Sequence, residues 1–271
     1  MTISGMRRGA ATPGSGRSVN GELTSLAREL LGRVEVLDEL EWRVSRERAA
    51  PASPRGSRPI EEDAAAADVR SPLAALQREV ENCRKCPLGA QRIRPAFGVG
   101  SPGAEVMLVG EGPGYEEDRR GEPFVGKAGE LLDRILASIG FSRRTVYIAN
   151  IVKCHPMVDP SKPEKRGNDR PPSPEEIASC RDYLDEQIRL VRPRVLVTLG
   201  AVAAKVMLGT AQGITRLRGI WREYAPFEGD PIPLLPTYHP AALLRNPELK
   251  RDVWTDMKDL KRALEAGHER D

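Results

Sequence analysis

Four cysteines are the residues of this chain whose spacing most directly indicates chemistry. Cys83 and Cys86 form a C-x2-C pair, and Cys154 and Cys180 follow singly with 25 residues between them. A C-x2-C pair binds a metal from two directions, and two further thiolates complete a tetrahedral set. Structural zinc usually takes two such pairs, so an all-cysteine 4Fe–4S cluster fits this spacing at least as well. Four buried free cysteines, or two disulfides, are the alternatives that the spacing leaves open.

The composition indicates a folded domain with a polar extension. The chain has 271 residues, 39% of them hydrophobic, which is enough for one substantial core, but also 23 prolines. No apolar run approaches the ~18 residues of a membrane-spanning helix, and the first 20 residues contain no apolar signal segment. We therefore expect a cytoplasmic protein without membrane contact. From Cys83 onward 30 basic residues face 26 acidic ones, a small excess that is compatible with a polyanionic partner.

The sequence divides into an amino-terminal extension and a compact domain. Residues 1–20 have the composition of a disordered segment, and residues 21–48 place leucines and valines at the spacing of an amphipathic helix. Residues 49–70 are rich in proline and alanine, as linkers are. We predict an extension over residues 1–70 and one domain over residues 71–271.

Within this domain, short apolar strands alternate with helices. Strands are predicted over Glu105–Val109, Thr145–Val152, Arg194–Leu199 and Ile232–Thr237, and helices over residues 128–139, 173–191, 201–208 and 251–266. The alternation predicts an α/β fold, with a four-stranded and mainly parallel sheet sandwiched by helices. Pro233 and Pro236 predict an edge or irregular position for the last strand.

The predicted carboxyl ends of these strands carry polar and glycine-rich residues. The string Gly-Glu-Gly-Pro-Gly occupies residues 110–114, Asn150 lies in the second strand, and His239 follows the fourth. Open parallel sheets bind ligands beyond these ends. Each signal alone is weak, because the glycine string matches no dinucleotide or Walker motif, and both Asn150 and His239 have ordinary roles in turns. Together they predict a ligand site at this edge.

Four segments in order around the cysteines carry a resemblance to a known family. They are Gly-Glu-Gly-Pro-Gly at 110–114, Pro-Phe-Val-Gly-Lys-Ala-Gly at 123–129, Asn-Ile-Val-Lys-Cys at 150–154 and His-Pro-Ala-Ala-Leu-Leu-Arg at 239–245. This set resembles the family 4 uracil-DNA glycosylases, the iron–sulfur branch of the uracil-DNA glycosylase superfamily, over about residues 82–264. The resemblance implies monofunctional hydrolysis of the N-glycosidic bond of uracil in single- or double-stranded DNA, as part of base excision repair. It also implies a structural 4Fe–4S cluster on the four cysteines.

The resemblance also assigns residues that recognise the base. It implies that Asn150 reads the O4/N3 edge of uracil, because an amide that donates to O4 and accepts from N3–H is mismatched by cytosine. Phe124 corresponds to the aromatic residue that stacks on the flipped base, although composition alone places it in the core. Glu117 corresponds to the acid that crowds C5 and excludes the thymine methyl group; a solvated acidic turn is its alternative.

Bond cleavage leaves negative charge on the uracil ring, which the protein has to stabilise. The resemblance makes His239 the donor to uracil O2, with backbone N–H groups around Glu111 and Gly112 adding to it. Better-known relatives have an aspartate at the position of Gly112 that orients the attacking water. This chain lacks that aspartate, so Glu111 is our candidate to activate the water.

The resemblance further implies contacts to DNA. The segment with Leu243, Leu244 and Arg245 enters the minor groove in the superfamily, where a wedge offsets the few kcal/mol that base flipping costs. We expect at least one of the two leucines to be a core residue instead. Arg216 and Arg218 lie in a second basic loop that resembles a DNA-contacting segment, with a solvated turn as its alternative.

Residues 156–170 are longer than is usual for the family, and four of them are basic. A related branch captures uracil-containing DNA covalently through a histidine in an insertion near this position. Here the insertion contains no histidine, so we expect turnover, and we expect the enzyme to be a monomer. Two other classes stay open. One is a non-catalytic, metal-stabilised nucleic-acid-binding module, favoured if Asn150 and His239 are far apart; the other is a nucleotide-binding α/β enzyme.

Overall fold

The computed structural model describes residues 61–225 and 230–268. The predicted disordered start and the amphipathic helix over residues 21–48 lie outside this part. Its helices are α1 (Glu61–Asn82), α2 (Leu88–Gln91), α3 (Tyr115–Arg120), α4 (Lys127–Ser138), α5 (Pro174–Val191), α6 (Ala201–Leu208), α7 (Ile214–Leu217), α8 (Pro240–Arg245) and α9 (Lys250–His268), with a 3-10 turn over Pro247–Leu249. Its strands are β1 (Val99–Gly100), β2 (Val106–Gly110), β3 (Tyr147–Asn150), β4 (Val195–Leu199), β5 (Arg222–Tyr224) and β6 (Ile232–Thr237).

The strands form one sheet in the order β1-β3-β2-β4-β6-β5. The four central strands are parallel to one another, and the short strands β1 and β5 pair antiparallel at the two edges. The α/β class is thereby confirmed, whereas the predicted number of four strands is wrong. The two added strands contain two and three residues, which is too short for an alternating pattern to be recognised.

Strand β6 lies next to the edge of the sheet rather than at it. Pro233 is opposite Glu223 on β5, and Pro236 is opposite Thr198 on β4. The prolines led us to expect an edge or irregular strand. Pro236 is tolerated because β5 pairs only with Ile232–Leu234, so no β5 residue lies opposite it.

The core forms where α1 and α5 pack together over the sheet. Leu76 of α1, with Leu184 and Ile188 of α5, belongs to the same buried cluster as Met107 and Leu196 of the central strands. Helix α1 includes residues 61–70, so the last residues of the predicted linker are helical, in agreement with the helix propensity of their alanines and glutamates. In the described part of the chain, no helix is both long and apolar enough to cross a membrane.

Candidate active site

The parallel register brings the predicted site residues to one edge of the sheet. Gly110, the last residue of β2, pairs with Asn150, the last residue of β3. Thr237, the last residue of β6, pairs with Leu199 of β4, and His239 follows two residues later. The glycine turn over residues 110–114 leaves from the same end. The site predicted beyond the carboxyl ends of the strands therefore has its residues in one place.

Asn150 presents a carbonyl group that the protein does not use. The residue is 1% exposed, and its Oδ1 is buried without a hydrogen-bond partner among the described residues. A Cβ on Gly110 would lie 2.4 Å from this oxygen, so only glycine leaves room for it. An unpaired buried acceptor costs about 1–3 kcal/mol. A ligand with an N–H group at this position would remove that cost.

Phe124 connects Asn150 with His239. Its ring Cζ would lie 2.6 Å from the same Cβ position on Gly110, and its ring stacks on the imidazole of His239, with 5.4 Å between centroids and 28° between planes. The backbone of Phe124 has a φ of +57°, in the left-handed region that non-glycine residues avoid. Such a conformation costs of order 1–3 kcal/mol and is concentrated at functional sites.

His239 is held as a neutral hydrogen-bond donor. It is the residue that caps the start of α8, where its Nδ1 accepts from the backbone N–H of Ala241 at 3.1 Å. Burial, and secondarily the positive charge of Arg245, lowers the pKa of His239 to about 4. The imidazole is therefore neutral near pH 7, and since Nδ1 is an acceptor, the proton lies on Nε2. This nitrogen is the one free to donate to a ligand.

Glu111 supplies a carboxyl group within the glycine turn. Burial, and secondarily the negative charge of Asp169, raises its pKa above the ordinary value of 4.5. Gly112 is packed too closely to carry a comparable side chain, because its Cβ would lie 2.8 Å from Val152 Cγ2. The chain therefore could not place an aspartate at residue 112 without moving Val152.

Glu117 lies beside the site and is bonded to the backbone around it. Its carboxylate accepts from the N–H groups of Gly114, Val125 and Gly126, each at 3.1 Å. These bonds tie the start of α3 to the segment that follows Phe124. The alternative of a solvated acidic turn therefore does not describe Glu117, and its predicted contact with C5 of the base stays a prediction.

Helix α8 separates the two leucines of the predicted wedge. Leu243 is 1% exposed and belongs to the core, whereas Leu244 is 47% exposed and Arg245 is exposed next to it. The expectation that one leucine is a core residue is confirmed. Leu244 and Arg245 are the members of this segment that can contact DNA.

The second basic loop contributes one arginine to the surface rather than two. Arg216 is exposed on α7. Arg218 instead donates to the carboxylate of Asp256 and, at 2.9 Å, to the backbone oxygen of Asp252, both on α9. Asp256 is fully buried and also accepts from Thr237 Oγ1 at 2.6 Å. Arg218 therefore neutralises a buried carboxylate within the protein, and its predicted DNA contact stays a prediction.

The insertion over residues 156–170 is a closed hairpin. Met157 bridges to Asp169, and the side chain of Asn168 bonds to the backbone of Asp159 and Lys162. His155, which precedes the hairpin, is fully buried, and its Nε2 lies 2.7 Å from Asp169 Oδ1. This histidine is thus enclosed by the protein rather than presented for covalent capture.

The four cysteines line one pocket and are all free thiols. Cys154 and Cys180 are buried, and burial raises the pKa of Cys154 to about 11 and raises that of Cys180 as well. The disulfide alternative is therefore excluded in this structure. Within residues 61–225 and 230–268, no group of three or more His, Cys, Asp or Glu is arranged to hold a metal ion. A single ion would need all sulfurs about 2.3 Å from one point, whereas the thiolates of an iron–sulfur cluster are further apart.

Two cations face the cysteine pocket, and neither was predicted from the sequence. Arg92 Nη1 donates to Cys154 Sγ at 3.0 Å. Lys153 is fully buried, and its Nζ donates to the backbone oxygen of Asn150 at 2.7 Å and to Gln187 at 2.6 Å. The burial of Lys153 could have been predicted from its position among apolar residues directly after a predicted buried strand. The two cations place positive charge beside the thiols.

Comparison with known proteins agrees with this geometry. Residues 97–260 match the uracil DNA glycosylase superfamily. A type-4 uracil-DNA glycosylase of Archaeoglobus fulgidus is 41% identical over 192 residues, which cover 69% of this chain and 91% of that relative. The type-4 uracil-DNA glycosylase of Thermotoga maritima is 39% identical over 192 residues, covering 70% of this chain and 93% of that relative. This chain belongs to the uracil-DNA glycosylase superfamily and, within it, to the type-4 branch.

Proposed function

We propose that this protein is a DNA repair enzyme that hydrolyses the N-glycosidic bond of uracil in DNA and leaves an abasic site. The observation that carries the proposal is the unpartnered Oδ1 of Asn150, buried where Phe124 and the neutral His239 converge. The relatives named type-4 uracil-DNA glycosylases support the same activity.

Recognition of uracil follows from the chemistry of the Asn150 amide. Its free Oδ1 accepts from N3–H of uracil, and its amide nitrogen is the partner for O4. Cytosine offers an unprotonated N3 to the same oxygen, so two acceptors would face each other without water. Leaving a buried polar group unpaired can reject an analogue by about 10⁴-fold. Discrimination of that size is needed because cytosine greatly outnumbers uracil in DNA.

Departure of the base follows from the protonation state of His239. As the glycosidic bond breaks, negative charge develops on the uracil ring, and the Nε2–H of His239 donates to O2. Removing one such oxyanion donor from other enzymes costs roughly 10²–10³-fold in rate. The imidazole keeps its proton on Nε2 throughout, because Ala241 holds Nδ1 as an acceptor.

The attacking water is assigned to Glu111. Its carboxylate is the acidic group of the glycine turn, and Gly112 has no space for the aspartate of other relatives. A raised pKa makes Glu111 a better base than an exposed carboxylate, since basicity rises with pKa.

We infer that Cys83, Cys86, Cys154 and Cys180, which line one pocket, would hold a 4Fe–4S cluster. Four thiolates give such a centre negative charge, which the buried ammonium of Lys153 and the guanidinium of Arg92 offset. When bound, the cluster supplies a structural cross-link between segments that are far apart in the chain. The cytoplasmic location and monomeric state expected from the sequence stay predictions.

The proposal is tested with oligonucleotides that contain one uracil, in single- and double-stranded form, followed by alkali to cleave abasic sites. We expect cleavage at uracil and none at cytosine or thymine in the same context. Binding of uracil-containing DNA without abasic product would instead support the non-catalytic module. A protein–DNA adduct that survives denaturation would support covalent capture.

A further inference from the structure

The left-handed backbone of Phe124 is held by hydrogen bonds on both of its flanks. On the carboxyl side, the N–H groups of Val125 and Gly126 donate to Glu117 Oε1. Arg143 Nη2 donates to the carbonyl oxygen of Phe124 on this same side, and on the amino side Arg143 Nη1 donates to the carbonyl oxygen of Pro123 at 3.0 Å. Successive peptide groups around residue 124 are thereby fixed from outside the loop.

Arg143 is itself fixed in place. Its Nε donates to Asp133 Oδ1 on α4 at 2.6 Å, and its Nη1 lies 3.6 Å from Glu122 Oε1. The side chain is 21% exposed. All three guanidinium nitrogens therefore contact acceptors within the protein, and a planar fork is needed to reach these acceptors together. This arrangement leaves no nitrogen of Arg143 without a protein contact, so a phosphate contact does not explain it.

We propose that Arg143 is a positioning residue for the base-binding site. It holds the Phe124 backbone in the left-handed conformation and so keeps the ring against Gly110, beside Asn150 and His239, before a base arrives. The inference rests on the proposed function, because the ring is useful as a stacking surface for a flipped base.

The physical reason is the conformational preference of a non-glycine residue. Without the two bonds from Arg143, only the bonds to Glu117 would hold this segment, so residue 124 would populate the negative-φ regions that L-residues favour in a larger fraction of molecules, with its ring away from Gly110. Only the fraction of molecules with the ring in place would accept the base. The apparent affinity for the base falls by that fraction.

The test is a double-mutant cycle between Arg143→Met and Phe124→Ala, measured as single-turnover excision of uracil from single-stranded DNA. We expect Arg143→Met to lower the rate about 10- to 100-fold in the wild-type background. In the Phe124→Ala background it should lower the rate less than about threefold, because no ring remains to be positioned. Equal losses in both backgrounds would overturn the proposal.

Two further variants keep the cycle interpretable. Arg144→Met, at the exposed neighbouring arginine, is the control and should retain the wild-type rate. If Arg143→Met does not fold, Arg143→Lys replaces it in the cycle. The Arg143→Lys substitution keeps the positive charge near Asp133 and Glu122, but it removes the planar fork that reaches Asp133 and both carbonyl groups together. We expect an intermediate loss, again coupled to Phe124.

A spectroscopic measurement tests the positioning role independently of activity. It can be made even if the wild-type protein excises no uracil, which is the result that would contradict the proposed function. The chain contains four phenylalanines, so protein labelled with fluorophenylalanine gives few signals, and Phe124→Ala identifies the one from residue 124. In Arg143→Lys we expect this signal to shift or broaden while the others stay in place. An unchanged Phe124 signal would overturn the positioning role.

Discussion

At the scale of single residues, the proposed mechanism assigns the recognition of uracil and the stabilisation of its anion to different side chains. Asn150 contributes an acceptor that is already desolvated, so binding N3–H does not require the protein to shed water there. His239 contributes a donor that stays neutral near pH 7, because burial lowers its pKa to about 4. A neutral donor stabilises the anion through a hydrogen bond and keeps its proton, in contrast to a general acid.

Asn150→Asp should remove most of the uracil activity. The carboxylate still accepts from N3–H but loses the amide donor to O4, and we expect single-turnover excision to fall about 10²- to 10⁴-fold. A carboxylate can accept from the N4 amino group of cytosine, yet we expect little cytosine excision, since Glu117 and the leaving-group requirement remain. Rates on both substrates, with a melting curve, test this. Unchanged uracil excision by a folded variant would remove Asn150 from the site.

The pH dependence of excision should identify the group that activates the attacking water. Burial and Asp169 raise the pKa of Glu111, so its carboxylate is lost as the pH falls through a value above 4.5, and the rate should fall with it. Asp169→Asn removes the nearby negative charge and should move this acidic limb to lower pH. Glu111→Gln should abolish the limb and lower the plateau. His239, with its pKa near 4, contributes no limb between pH 6 and 8. An acidic limb that persists in Glu111→Gln would assign it to another group.

At the scale of elements, α8 performs two tasks within six residues. Its capping residue His239 lies in the pocket, while Leu243 anchors the helix in the core and Leu244 faces outward. One side of this short helix is therefore fixed by packing, and the other is available to DNA.

Adjacent leucines on α8 should respond differently to truncation. Leu243→Ala removes a buried side chain and should lower the free energy of unfolding by about 2–5 kcal/mol, with excision per folded molecule largely retained. Leu244→Ala should leave stability nearly unchanged but slow excision from duplex DNA more than from single strands, since only the duplex resists flipping. Single-turnover rates on both DNA forms and melting curves distinguish them. Equal slowing on both forms would contradict the wedge.

The sequence was most informative where position along a strand determines position in space. Gly110, Asn150 and His239 end or follow parallel strands, so a correct sheet prediction already groups them. The sequence could not show which of Leu243 and Leu244 is buried, because two apolar neighbours on a six-residue helix fit either orientation. Nor could it orient Arg218, since a basic residue in a loop looks the same whether it faces phosphate or a buried Asp256. The left-handed backbone at Phe124 had no local sequence signal, because contacts distant in the chain impose it.

At the scale of the whole molecule, the cysteine pocket joins three distant parts of the chain. Cys83 and Cys86 follow α1, Cys154 follows β3, and Cys180 lies on α5. Lys153 extends this connection to the active site, because its ammonium binds the backbone oxygen of Asn150. The stability of the pocket and the placement of Asn150 are therefore linked.

Purified protein should contain about one four-iron cluster, with absorbance near 400 nm, as a set of four cysteine ligands implies. Removing the iron should lower the melting temperature, because bound metal stabilises the folded state and buried thiols must otherwise carry protons. Metal analysis and melting curves before and after removal test this. Stoichiometric zinc without iron would contradict the assignment, as would an unchanged melting temperature after complete iron loss.

Helix α8 also has a mechanical consequence. Leu244 and His239 are five residues apart, a distance of about 7.5 Å along a helix that has no joint between them. Because Leu243 anchors α8 in the core, Leu244 and the imidazole of His239 keep a fixed separation. A duplex that cannot admit the leucine, for example one with a bulky adduct beside the uracil, is therefore expected to keep the O2 of its uracil away from the imidazole. Excision would then proceed only where the groove admits Leu244.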